Sequence, residues 1–500
     1  MVKEYGVNTW LDRRRAGVLL HITSLSGPQP CGVLGEEARR FVDALYEGGF
    51  SVWQFLPLGP THEHGSPYES LSSFAGNPEF IDLRECVSRE WIDASDLHAV
   101  HDTADTNTTR IKAAIGFWNA AREHADMAES IHCFQTANAA WLEDFSLFMA
   151  LKKAYNGQPW WQWPRQLRRR DTEALADARH RHTGAIHQII FEQYMFFRQW
   201  DALKQYAETR GVMLFGDLPI YAAHDSADVW ANQSLFTLKE DGLCSEVAGV
   251  PPDYFSRTGQ RWGNPLYHWG MLEATGFDWW VQRIQAQLAR MHLLRIDHFR
   301  GLEAYWAIPG ESEDGTVGEW RKGPGTALLE AVDAALGHLP LVAEDLGLIT
   351  PEVTALLERF GLPGMKVLQF AFDGSPDNPY LPGNFGANST IYTGTHDNNT
   401  TLGWFETLSA EEKERLASYA DLSDNNMPWP LIRLAIESDA RLAIIPMQDL
   451  LSLDSKARFN TPGTIHGNWQ WRMQSGQATE SIWARAHELN LRSGRISESA

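Results

Sequence analysis

The stretch HLLRIDHFRG (residues 292–301) is an apolar run that ends in charged and polar side chains. Leu293 and Leu294 are followed by Arg295 and Asp297, which stand two residues apart, and then by His298. This pattern is typical of a short buried strand whose last residues reach a polar site. Because the carboxyl ends of strands open into the site in parallel α/β proteins, the stretch predicts one wall of a pocket.

Three other stretches have the same form, an apolar run that closes on an acidic residue. The acids are Asp217, Glu344 and Asp397. The stretches are MLFGDLPIY (213–221), LVAEDLG (341–347) and IYTGTHDNN (391–399). We interpret all four as strand ends that surround one pocket.

Predicted strands and helices alternate along most of the chain, which favours an α/β fold with a parallel sheet. Eight plausible strands favour a closed (β/α)₈ TIM barrel, with helical and loop insertions between its strands, over an open sheet. The predicted strands are 16–22, 51–56, 212–217, the run within 292–301, 304–308, 341–344, 365–370 and 389–393. Residues 442–445 are a further short apolar run.

The composition of the chain along its length predicts three parts. Residues 1–80 and 189–500 are assigned to the catalytic barrel, and residues 81–188 to a mainly helical insertion. Residues 218–275 form a loop-rich insertion that contains GVPPDYFSRTGQRWGNPLYHW (249–269). Its prolines and glycines predict irregular structure, and its interleaved aromatic rings predict a lid over the active site that offers flat stacking surfaces.

Charge and composition exclude several classes of protein. The chain has 43 basic and 64 acidic residues and a net charge of -21, which argues against nucleic acid or an anionic membrane as the main partner. No stretch has the apolar length of a signal peptide or a membrane span. Rossmann and P-loop fingerprints are absent from the sequence, so no nucleotide cofactor is expected. These features predict a cytoplasmic protein without a cofactor.

His62 and His64 resemble a metal-ligand pair only superficially. They alternate within a loop, whereas zinc motifs place two histidines four residues apart on a helix. No metal site is therefore predicted.

The acids at the strand ends suit glycosidic cleavage, which needs two carboxyl groups with different tasks. Asp297 is the better nucleophile, because Arg295 points to the same face of the strand and is expected to lower its pKa. Glu344 suits the acid, because its apolar strand favours a raised pKa. Asp397 and His396 could hold sugar hydroxyls as positive charge develops on the ring.

These residues also resemble a known family. RIDHFRG, AEDLG, THDNN and GDLPIY look like the four conserved regions of the α-amylase clan. SPYESLSSFAGNP, the 249–269 segment and RFNTPG…GNWQWR look like the 4-α-glucanotransferases (amylomaltases or disproportionating enzymes) of glycoside hydrolase family 77. The resemblance extends from residue 17 to about residue 472 and involves separated motifs in the same order.

The resemblance implies a retaining α-1,4-glucan transferase on a (β/α)₈ barrel. It implies that Asp297 is the nucleophile, Glu344 the acid/base and Asp397 the stabiliser of the transition state. It implies supporting roles in substrate binding for three further residues: Arg295, Asp217 and His396. It also assigns these residues to the glucan-binding cleft: Tyr68, Tyr254, Phe255, Trp262, Asn264, Ser66 and Asn468.

The expected partners are maltooligosaccharides and other α-1,4-glucans, and the expected oligomeric state is a monomer or a weak homodimer. An α-1,4-glucan hydrolase remains an alternative, because the same carboxylates serve both reactions. A non-catalytic glucan-binding protein is a second alternative, but the intact set of charged strand ends speaks against it.

Overall fold

A computed structural model describes residues 11–98, 103–252, 256–422, 426–464 and 466–497. The β-strands of the described residues, numbered in chain order, are Arg15–Leu19 (β1), Val52–Gln54 (β2), Met213–Pro219 (β3), Glu246–Val250 (β4), Gln260–Pro265 (β5), Leu293–Asp297 (β6), Ala304–Pro309 (β7), Glu319–Lys322 (β8), Leu341–Ala343 (β9), Gly364–Val367 (β10), Ser389–Tyr392 (β11) and Leu442–Pro446 (β12).

Eight of these strands form one parallel sheet in the order β10-β11-β12-β1-β2-β3-β6-β9. The two ends of that order adjoin. The N–H of Ala343, the last residue of β9, donates to the carbonyl of Pro363, which precedes β10, at 2.9 Å. At the same seam the Met365 N–H donates to the Asp345 side chain at 2.6 Å. The sheet is therefore a nearly closed barrel, and the predicted fold class is confirmed.

One predicted strand does not belong to the barrel. Residues 304–308 were counted with the alternating strands, but β7 pairs antiparallel with β4 and β8 in a second sheet. The short apolar run at 442–445 is instead the missing barrel strand, because β12 lies between β11 and β1. All five residues of β12 are buried, as expected for a strand covered on both faces.

Side chains from alternate strand positions fill the inside of the barrel. Members of this inner cluster include Leu19, Val52, Phe215, Leu293, Val342, Met365, Tyr392 and Ile444. Intervening residues such as Leu294 and Ile296 face outward into the larger core beneath the helices. This alternation determines which side chains reach the end of the barrel.

The helices cover the barrel and make up most of the 84–209 segment. The α-helices of the described residues are Glu36–Glu47, Arg84–Ser88, Ala94–His98, Thr103–Glu123, Ala125–Ala137, Ala139–Ala154, Arg165–Arg168, Thr172–Arg181, Thr183–Thr209, Ala227–Ala231, Trp269–Ala274, Asp278–Arg290, Thr326–Leu336, Pro351–Phe360, Thr401–Thr407, Ala410–Ala417, Trp429–Glu437, Met447–Leu450 and Glu480–Arg492. None of them has the length and apolar composition needed to cross a lipid bilayer.

The second sheet contains part of the predicted lid. Its order is β5-β4-β7-β8, and all of its pairs are antiparallel. The prediction that residues 249–269 lack regular structure is therefore wrong for Gly249, Val250 and β5. The β4–β5 ladder tolerates these residues because its register shifts between Val247 and Gly249, and because Gly263 adopts a φ of 82° that favours glycine.

Candidate active site

The parity of β6 brings Arg295 and Asp297 to the same side as Leu293, inside the barrel. β6 lies between β3 and β9, and Arg295 is the register partner of Asp217 on β3 and of Val342 on β9. One step further along, Pro219 pairs with Asp297. Acids on neighbouring strands consequently meet at the carboxyl end of the barrel.

The Arg295 guanidinium joins two of these acids. Its Nη1 donates to Asp217 Oδ2 at 2.6 Å, and its Nη2 lies 2.8 Å from Asp297 Oδ1. The Tyr68 hydroxyl also donates to Asp217 Oδ2, at 2.7 Å. Arg295 and Asp217 are both buried, whereas 29% of the Asp297 side chain is exposed. The guanidinium therefore fixes the orientation of a carboxylate that still faces the open end of the barrel.

Glu344 follows β9 and is held by backbone donors. The His298 N–H donates to Oε2 at 2.7 Å, and the Leu346 N–H donates to Oε1 at 2.8 Å. His298 has a left-handed conformation, with φ 52° and ψ 48°. The residue after Asp297 thus turns its N–H toward the Glu344 carboxyl, which couples the two strand ends.

Asp397 lies in the segment between β11 and the Thr401–Thr407 helix. Its Oδ1 accepts from Asn460 Nδ2 at 2.6 Å and lies 3.3 Å from His396 Nε2. Arg458 Nη2 donates to the Asp397 carbonyl at 2.6 Å. With 44% of its side chain exposed, Asp397 is accessible to a ligand in the cleft.

Asp297 and Glu344 both have a raised pKa. Burial raises the pKa of Asp297 to about 8, against the lowering effect of Arg295, and the charges of Asp217, Glu344 and Asp397 raise it further. Burial also raises the pKa of Glu344, although Arg295 and the two backbone N–H groups oppose the shift. Arg295 lowers the Asp297 pKa as predicted, but burial outweighs this effect and the net shift is upward. The two carboxyls therefore titrate as a linked pair.

Aromatic rings line the cleft beside Asp397. The Tyr68 ring stacks on His396 with centroids 5.2 Å apart and an interplanar angle of 16°. The centroid of the Trp469 ring lies 6.0 Å from that of Tyr68 and 6.1 Å from that of His396. Burial lowers the pKa of His396, so its imidazole is neutral and free to donate or accept one hydrogen bond per nitrogen.

Trp262 and Asn264 both belong to β5. The Trp262 ring meets the His298 ring edge-on at 4.8 Å, so the second sheet contacts the loop that holds Glu344. Asn264 Nδ2 donates to the Ala222 carbonyl at 3.0 Å, which anchors β5 to the segment after β3. Tyr254 and Phe255 lie outside the described residues.

Ser66 and Asn468 are the remaining two residues that the sequence assigns to the predicted cleft. The Ser66 carbonyl accepts from the Glu69 N–H at 3.3 Å, within the loop that carries Tyr68. Asn468 is buried, and its amide accepts from the Thr461 N–H at 3.0 Å and donates to the Thr464 carbonyl at 2.9 Å. These contacts hold the Asn468 loop itself and do not join it to the carboxyl cluster.

Sequence reasoning assigned no role to four residues that contact the site: His298, Arg458, Asn460 and Trp469. His298 stands next to Asp297 in the opening stretch, and the others lie within RFNTPG…GNWQWR. The aromatic and amide side chains in those two stretches were the feature of the sequence that could have pointed to His298, Asn460 and Trp469. Within the described ranges, no group of three or more acidic, histidine or cysteine side chains is arranged to hold a metal ion.

The chain is similar to known proteins over nearly its whole length. A family model described as 4-alpha-glucanotransferase matches residues 20–479. A 4-alpha-glucanotransferase of Thermus thermophilus is 48% identical over 489 residues, covering 95% of this chain and 98% of the relative. One from Synechocystis is 45% identical and covers 95% and 97%, respectively. The solved structure of amylomaltase from Streptococcus agalactiae in complex with acarbose is 36% identical, with a TM-score of 0.92, and the match covers 97% of this chain and 100% of that one.

Proposed function

The chain belongs to the 4-alpha-glucanotransferase family, and we propose that it moves a segment of an α-1,4-glucan to the 4-hydroxyl of an acceptor by a retaining double displacement. The observation that carries this proposal is the carboxyl cluster at the barrel end. Asp297 is ion-paired to Arg295 and partly exposed, and Glu344 is held beside it by the His298 N–H.

In the first step, Asp297 attacks the anomeric carbon and Glu344 protonates the oxygen of the departing glucan. The bond from the anomeric carbon to that oxygen breaks as the bond to Asp297 forms. Asp297 and Glu344 titrate as a linked pair with raised pKa values, so the reactive form carries one proton for the two carboxyls. In the proposed step that proton is on Glu344, which donates it, and Asp297 is the carboxylate that pairs with Arg295.

In the second step, Glu344 takes the proton from the 4-hydroxyl of an acceptor glucan, and that oxygen displaces Asp297 from the anomeric carbon. Two inversions retain the α configuration. Asp397, held by Asn460, is placed to bind sugar hydroxyls whose hydrogen bonds strengthen as the ring becomes positively charged.

Incubation with maltotriose tests the reaction. A transferase produces glucose and a ladder of longer maltooligosaccharides with little increase in reducing ends, and Asp297→Asn should reduce this ladder to a trace. A rise in reducing ends that matches the loss of maltotriose would identify a hydrolase. Unchanged maltotriose would indicate a protein that only binds glucans.

A second experiment tests the covalent intermediate. In Glu344→Gln, a maltosyl donor with a fluoride leaving group needs no proton from residue 344 to react with Asp297, but release to an acceptor lacks its base. Mass spectrometry should then detect a glycosyl adduct on the peptide that contains Asp297. Steady turnover without any adduct on that peptide would contradict a covalent route through Asp297.

A further inference from the structure

The loop that carries Asp397 needs external support. Residues 393–400 lie between β11 and the Thr401–Thr407 helix and have no strand or helix of their own. His396 and Asp397 are in the middle of this loop, and small displacements there change the distance to a bound sugar ring. What holds the two ends of the loop therefore bears directly on the chemistry.

Asp449 contacts both ends. It follows β12, and only 1% of it is exposed. Its Oδ2 accepts from the Thr393 and Thr401 hydroxyls, each at 2.6 Å, and its Oδ1 accepts from the Thr401 N–H at 2.8 Å. Both threonines are fully buried. The Asp449 carboxylate thus joins Thr393, at the start of the loop, to Thr401, the first residue of the following helix.

The middle of the loop is held from the same direction. Asn460 donates to the Asp397 carboxylate and Arg458 to its carbonyl, and the Asn460 N–H donates to the His396 carbonyl at 3.2 Å. Arg458, Asn460 and Asp449 all come from the chain after β12. The segment after β12 therefore supports the loop that carries Asp397, and Asp449 is the buried one of these three residues and the nearest to β12 in sequence.

The sequence carries a matching signal. LAIIPMQD (442–449) is an apolar run that closes on an acid, as the runs ending in Asp217, Asp297, Glu344 and Asp397 are. The fifth acid is buried, as Asp217 is, and its carboxylate binds Thr393 and Thr401. Three short hydrogen bonds offset part of the cost of burying its charge, although burial still leaves the pKa of Asp449 raised.

We propose that Asp449 is a positioning residue for Asp397: by tying Thr393 to Thr401 it fixes the loop in which Asp397 and His396 meet the sugar. This inference rests on the proposed transferase function. It predicts that the loss of Asp449 acts on the reaction through Asp397.

A double-mutant cycle tests it in the full-length enzyme with maltotriose. We expect Asp449→Ala to lower kcat/KM by about 10²-fold, mainly through kcat, as a displaced transition-state contact does. Asp397→Asn should lower it by about 10²–10³-fold. If Asp449 acts through Asp397, the double variant is no worse than Asp397→Asn within about threefold. If the double variant instead loses kcat/KM by the product of the two single-variant losses, the proposal is overturned.

Two further variants separate positioning from general loss of structure. Asn490→Ala removes another buried polar side chain, which donates to the Gly48 carbonyl far from the cleft, and should leave kcat/KM within about twofold. Asp449→Asn can still accept from the Thr401 N–H and donate to a threonine oxygen, so it should regain at least about a tenth of the lost activity. Asn as inactive as Ala would count against a positional role.

If Asp449→Ala does not fold, the pair Thr393→Val with Thr401→Val replaces it in the cycle, because it removes both hydroxyl donors and keeps the Thr401 N–H. Crystal structures supply a readout that does not depend on activity. We expect Asp397 to shift in the variant, and an unmoved Asp397 would overturn the proposal. Wild-type transfer in the same assay establishes the proposed function separately, so multiplied losses would count against Asp449 alone.

Discussion

The Asp297 carboxyl illustrates how a residue of the candidate active site can oppose folding. Although 29% of its side chain is exposed, most of it is enclosed at the barrel end, and this burial, with the charges of neighbouring acids, raises its pKa from an ordinary 3.8 to about 8. The folded protein therefore binds more protons than the unfolded chain between about pH 4 and about pH 8, and stability falls as the pH rises through that window. Asp297 is held in place at a cost that the rest of the fold offsets.

This predicts that Asp297→Asn is more stable than the wild type at about pH 8, with a difference in Tm that shrinks as the pH is lowered toward about 4. Thermal unfolding across the pH range measures it. The exposed Glu240, changed to Gln, is the control and should show a flat difference. A difference that grows toward low pH would contradict the burial argument.

Tyr68 combines two contacts in one side chain. Its ring stacks on His396, and its hydroxyl donates to Asp217, the acid that also binds Arg295. Tyr68→Phe keeps the ring and removes one hydrogen bond to a charged group, so we expect kcat/KM to fall roughly 10-fold. Tyr206→Phe is a matched control, because Tyr206 donates to Asp43 away from the site. Equal effects of the two changes would show that the Tyr68 hydroxyl has no special role.

At the scale of elements, the strand ends were predictable and their surroundings less so. Alternation along β6 correctly predicted that Arg295 and Asp297 face the same way. The exchange of β7 for β12 was not predictable, because an apolar run does not reveal which sheet it joins. Likewise, Asn460 and Arg458 reach Asp397 from about sixty residues away, and no local pattern encodes that contact.

The net shift of the Asp297 pKa could likewise not be predicted from the local sequence. Sequence reasoning weighed the partner on its own strand, Arg295. The burial of Asp297 and the acids on the neighbouring strands decide the outcome, and these depend on the assembled barrel.

The predicted lid (residues 249–269), which contains most of the β4–β5 hairpin, is the segment that we expect to exclude water from the site. Val250 pairs with Gln260, so replacing residues 251–259 by Asn-Gly would close the hairpin with a two-residue turn and keep both strands. In the proposed double displacement, water competes with the acceptor for the glycosyl-enzyme, so we expect the ratio of hydrolysis to transfer to rise. Reducing ends released per glucosyl unit transferred measure this ratio. A ratio equal to that of the wild type would remove the lid role from this segment.

At the scale of the whole molecule, the charge of -21 coexists with a neutral substrate class. Electrostatic steering increases association rates only for charged ligands, and salt screens it. We therefore expect kcat/KM for maltotriose to change less than about twofold between roughly 20 mM and roughly 500 mM NaCl. Initial rates at matched pH measure this. A steep decline with salt would point to a charged substrate instead.

His298 carries a consequence for how this sequence can vary. A left-handed backbone costs most side chains roughly 1–2 kcal/mol, and Gly, Asn, Asp and His tolerate it better than others. The conformation is what directs the His298 N–H to Glu344. The shape of the main chain therefore favours those few amino acids at position 298, whatever the imidazole itself contributes.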